Sequence, residues 1–131
     1  MFMKTLLSVA LFLASFGVHA QNSKLIAVLS ISNSCAVTSS NLNRIEAEVK
    51  SQYSAQEVQW MVLDLSTEQS RQADLKILKE NRLGLLDKNT KTGIISLYDA
   101  TTKRPITQLQ FTKTTPELIA AFQKALSLVK P

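Results

Sequence analysis

The sequence predicts an α/β fold with a mixed four-stranded sheet, in the order β-α-β-α-β-β-α. Two apolar runs, Leu25 to Ile31 and Val58 to Leu65, flank one amphipathic segment. Runs of this kind suit strands covered on both faces. A strand, a helix and a strand with tight connections form a parallel pair with a right-handed crossover. Near the other end, Ile94 to Tyr98 and Arg104 to Phe111 flank a hairpin-sized turn, Asp99 to Lys103, so that pair is antiparallel.

The first twenty residues stand apart. Met1 to Lys4 is short and positive, Thr5 to Val18 is apolar, and Val18-His19-Ala20 offers small residues around a cleavage point. This is a secretory signal pattern, with an apolar run short for a membrane span. Cleavage after about Ala20 is expected, with export to a periplasm or the medium and no stable membrane anchor afterwards. The remaining 131 − 20 = 111 residues read as one domain, 21–131, with room for a core. Only Lys4 is lost among the 15 basic residues, so 14 basic against 10 acidic residues leave +4. The charges are scattered without basic–aromatic clustering, and no nucleic-acid partner is expected.

Taken in order, Leu25 to Ile31 is the first strand, ended by Asn33 and Ser34. The helix after it reads from Ser39 to Tyr53, with a start nearer Cys35 also open. Leu42, Ile45, Val49 and Tyr53 share one helical face. Val58 to Leu65 is a second strand of the same buried kind. Ser66, Thr67 and Glu68 start a helix that runs to about Arg82, with Ile77 and Leu78 inward and Gly84 as its stop. Leu85 to Thr92 reads as a polar surface loop anchored by Leu85 and Leu86. Pro105 lacks a donor and places the fourth strand at an edge. Thr115 caps the last helix, with Pro116 and Glu117 in its first turn. Leu118, Ile119, Phe122, Leu126 and Val129 form its buried side.

The chain has one cysteine, Cys35, at the joint between the first strand and its helix. No internal disulfide is available. Unpaired N–H groups at a helix start carry partial positive charge, which favours a thiolate and pushes its pKa down. The one histidine, His19, leaves with the signal, so Cys–His catalysis and the common zinc sites are excluded within this chain. No cofactor is expected.

The element order resembles the thioredoxin-like fold, a three-layer sandwich, over Lys24 to Val129. The most specific point is Cys35-Ala36-Val37-Thr38. There the resemblance places the attacking cysteine on Cys35 and the resolving position of Cys-x-x-Cys on Thr38. Thr38 carries no thiol, and its hydroxyl, one turn away, would stabilise the Cys35 thiolate. Ser34 stands where a tryptophan often precedes the motif, and Leu29 where a buried acid often lies beneath it. The cis-proline of the family falls at Thr92 or Gly93, neither of which is proline.

Three functions are consistent with this pattern. One is a monothiol redox protein that forms mixed disulfides through Cys35 with a protein or low-molecular-weight thiol partner. A second is a binding module without redox activity, using the loops around Asn33, Leu85 to Gly93 and Asp99 to Lys103. The third is a homodimer linked through Cys35. Weaker candidates are Asp64 at a strand end, Trp60, hydrogen bonds from Asn33 and Ser34, and a basic rim of Lys88, Lys91, Lys103 and Arg104.

Overall fold

The computed structural model describes residues 23–84 and 91–129. Their sheet has four strands: β1 (Leu25–Ile31), β2 (Val58–Asp64), β3 (Ile94–Asp99) and β4 (Pro105–Gln110). The strand order is β2-β1-β3-β4. β1 runs parallel to β2, with Leu25 opposite Val58, and antiparallel to β3, with Leu25 opposite Asp99. β3 and β4 form the antiparallel hairpin, irregular at Leu97 and Tyr98. The helices are α1 (Ala36–Glu48), α2 (Glu68–Glu80) and α3 (Thr115–Leu128), with a short 3-10 turn at Lys50–Gln52. This is the β-α-β-α-β-β-α order read from the sequence.

Alternation along β1 builds two cores. Leu25, Ala27 and Leu29 face the layer of α1 and α3, where Ile45, Val49, Leu118 and Phe122 are buried. Ile26 and Val28 face the α2 layer, against Leu63, Leu78, Leu83 and Tyr98. Three layers result, with β1 buried on both sides as its apolar run requires. Phe122 anchors the larger core, stacking on Tyr53 and on Trp60 with ring centroids 5.3 Å apart in each case. Burial raises the pKa of Tyr98, whose hydroxyl donates to Gly84 O and ties the end of the α2 layer to β3.

Several boundaries differ from the sequence reading. α1 starts at Ala36 with Cys35 at the N-cap, and the Leu42–Ile45–Val49–Tyr53 face is split by the 3-10 turn before Tyr53. β2 is an edge strand: Val58 and Leu63 are buried, one in each core, whereas Val62 is 48% exposed. Ile77 is 46% exposed while Leu78 is buried, because adjacent helical residues point about 100° apart. α2 closes before Gly84. Arg82 takes the left-handed position (φ 61°), with Arg82 N–H donating to Lys79 O and Leu83 N–H to Leu78 O. Thr114 caps α3 in place of Thr115, its Oγ1 accepting from Glu117 N–H at 3.3 Å. On α3, Ala125 joins the buried set, whereas Ile119 and Leu126 are only partly buried. Leu85, Leu86 and Lys88 lie outside the described residues.

One side chain locks α1 to the end of the hairpin. Arg44 donates to Phe111 O at 2.7 Å, Lys113 O at 2.8 Å, Thr115 Oγ1 at 2.8 Å and Asn41 Oδ1 at 3.1 Å. Charged donors satisfy carbonyls strongly, and removal leaves several acceptors without them. Arg44→Ala is expected to lower stability by about 2–3 kcal/mol in urea denaturation; a loss below about 0.5 kcal/mol would show that the β4–α3 turn holds without it.

Candidate functional site

The carboxyl end of β1 decides where the cysteine stands. On one flank Gly93 N–H donates to Ser30 O at 2.7 Å, and on the other Leu65 N–H donates to Ile31 O at 2.8 Å. Beyond the strand, Asn33 N–H donates to Ser66 Oγ at 2.8 Å, and the Ser32 and Ser34 hydroxyls share a 2.8 Å hydrogen bond. Cys35 N–H donates to Ser32 O at 3.2 Å and closes the turn. Asn33 and Ser34 therefore spend these groups on shaping the turn.

Cys35 then occupies the N-cap of α1 in extended backbone, φ −105° and ψ 109°. Its carbonyl accepts from Ser39 N–H at 3.1 Å and from Ser39 Oγ at 3.3 Å. The first turn carries no acidic residue to offset the positive end of the helix. The cysteine is half-buried.

Cys35 and Thr38 line one cleft of about 240 Å³, together with Lys91, Gly93, Gln110 and Phe111. Thr38 is almost fully buried at its floor. Gly93 forms the facing wall with φ 77°, and a Cβ built there would sit 3.8 Å from Thr38 Oγ1. Gly93 N–H is spent on Ser30 O, and Gly93 O accepts from Phe111 N–H at 2.8 Å. One residue thus joins β1, the start of β3 and the end of β4. A proline at 93 could neither donate that bond nor adopt that φ.

No protein-family model matches the chain, and no curated protein matches it. A solved structure does: the crystal structure of Trxlp from Edwardsiella tarda EIB202, 12% identical. The match covers 83% of this chain and 91% of that one, at a TM-score of 0.52. The chain has a thioredoxin-like fold. A second solved structure, Trgpx in its apo form, is 15% identical over 82% of this chain and 84% of its own, at a TM-score of 0.48.

Within that thioredoxin-like frame, Cys35 and Thr38 come together on one cleft. The basic rim does not assemble. Lys91 lines the cleft, but Lys103 and Arg104 sit in the β3–β4 turn. β3 runs antiparallel to β1, so Ile94 lies beside Ser30 and Asp99 beside Leu25, and that turn is at the far end of the sheet. For the same reason the Asp99 to Lys103 loop shares no surface with Asn33. Asp64 is held below its ordinary pKa by hydrogen bonds from Ser66, including Ser66 N–H to Oδ1 at 2.9 Å, which makes it a turn former. Leu29 is buried in the apolar core on the α1/α3 side of the sheet. Trp60 is half-buried packing against Phe122, and among the described residues its Nε1–H has no partner.

Sequence reading missed Gln110 and Phe111 as cleft walls. The available signal was strand length, since six-residue strands returning through a tight hairpin bring residue 110 back beside residue 94. Gly93→Ala is expected to cost about 1–2 kcal/mol in urea denaturation, from left-handed backbone alone, because its Cβ meets Thr38 at an ordinary contact distance. An unchanged stability would mean that the positive φ is not required.

Proposed function

We propose that the protein is an exported monothiol protein of thioredoxin-like fold that forms mixed disulfides through Cys35. The carrying observation is a half-buried thiol at the N-cap of α1, on a cleft whose other walls come from the start of β3 and the end of β4. The pattern from Met1 to Ala20 supports export, to a periplasm or the medium, with cleavage after about Ala20.

The chemistry is thiol–disulfide exchange. The Cys35 thiolate attacks one sulfur of a disulfide; a new Sγ–S bond forms, the old S–S bond breaks, and the leaving thiolate takes a proton. With threonine at position 38 the chain has no second thiol to release itself. Release therefore falls to a thiol in solution, which attacks the mixed disulfide and returns Cys35 as thiolate. Partners are accordingly protein thiols or small thiols. In this reading the Thr38 hydroxyl, one turn along the helix and on the same cleft, would steady the thiolate.

Incubation with oxidised glutathione at neutral pH is expected to add one glutathione per chain by mass, removable by excess reduced thiol. The adduct should be absent in Cys35→Ser and form several-fold more slowly in Thr38→Val. A folded protein that takes up no glutathione would contradict the reading and leave a thioredoxin-fold binding module in its place.

A further inference from the structure

The two open edges of the sheet are built differently. β4 begins at Pro105, carries a register irregularity, and lies between Arg104 and Lys113. Proline, bulges and lysine are the usual means of keeping an edge from pairing. β2 has none of these; it reads Val58-Gln59-Trp60-Met61-Val62-Leu63-Asp64.

The hydrogen-bond phase of β2 is fixed by its two ends. Glu57 O accepts from Leu25 N–H, and Leu65 N–H donates to Ile31 O. Odd-numbered residues therefore turn their backbone groups toward β1, and even-numbered ones turn theirs outward. The outermost of these are already occupied. Val58 N–H donates to Ser54 O, Asp64 N–H to Asp74 Oδ2 at 2.8 Å, and Ser70 Oγ donates to Asp64 O at 3.1 Å. Among the described residues nothing pairs with the outward groups of Trp60 and Val62.

We propose that β2 pairs with β2 of a second copy of this chain, antiparallel, about a two-fold axis at Met61. In that register Trp60 faces Val62 of the copy, and Val62 faces its Trp60. Both are outward-bonding residues, so each pair exchanges two N–H···O bonds, and the two pairs give four. The same register is self-complementary in side chains. Trp60 and Val62 share the α1/α3 face, so each half-exposed valine covers the indole opposite, an aromatic–β-branched pair. Met61 meets Met61 on the other face. Glu57 and Asp64 fall opposite Leu65 and Val58, with no like charges opposed. A lone strand pair buries little surface, so the association is weak and concentration-dependent. The antiparallel two-fold also sends the two Cys35 residues to opposite ends of the pair, and reductant leaves the dimer unchanged.

Sedimentation of the purified protein is expected to show dimer growing toward about 1 mM. The emission of Trp60, the only tryptophan, should shift to the blue in step. Met61→Lys and Met61→Glu are each expected to stay monomeric, and their equal mixture to recover the dimer, since the two substituted residues meet across the axis. If these fold poorly, Val62→Pro decides, because it removes an outward N–H that the monomer does not use. A wild-type chain that stays monomeric throughout overturns the proposal. So does a dimer that survives in the Met61 or Val62 variants, and so does one that disappears on reduction, which would be a Cys35 disulfide.

Discussion

The whole site depends on how the carboxyl end of β1 is held. A parallel neighbour supplies Leu65 N–H and an antiparallel neighbour supplies Gly93 N–H, one to Ile31 O and the next to Ser30 O. Pinned from both sides, the strand cannot drift in register without exchanging its two apolar faces. Leu25, Ala27 and Leu29 would then leave one core, and Ile26 and Val28 the other. The turn after β1 inherits that rigidity through Ser66 Oγ, and Cys35 inherits it from the turn. The thiol is therefore a product of sheet geometry more than of any local motif.

Gly93 carries the second half of the constraint. Its backbone reaches both β1 and the end of β4, and a Cβ built on it would face Thr38 Oγ1 at 3.8 Å. A proline at this position would lose the N–H that Gly93 donates to Ser30 O. The facing wall of the cleft is thus stapled to the strand that positions the cysteine. Arg44 completes the frame from α1 by gathering the carbonyls of Phe111 and Lys113.

Much of the fold is legible because two periodicities are plain in the sequence. The continuous apolar run of β1, the helical face of Leu42, Ile45 and Val49, and the hairpin signal before β4 each point to one local structure. The features that stay hidden depend on partners distant in the chain. Val58 to Leu65 reads as a buried strand, and only the sheet order makes it an edge. The left-handed turn at Arg82 is expected at Gly84, since glycine is the usual occupant and arginine gives no warning. Lys103 and Lys91 group together by their closeness to β3, whereas the antiparallel direction of that strand separates them by its full length. Cys35 and Thr38 are legible from the strand–helix joint. Arg44 is not, because its acceptors are carbonyls that no sequence pattern marks.

The central claim is that this frame holds Cys35 as an accessible thiol on the positive end of α1. It is tested most directly by the pH dependence of Cys35 alkylation in the folded protein. The account predicts a midpoint clearly below the free-thiol value of about 8.5, with reaction in the native state. A midpoint at or above that value, or alkylation only on unfolding, would contradict it.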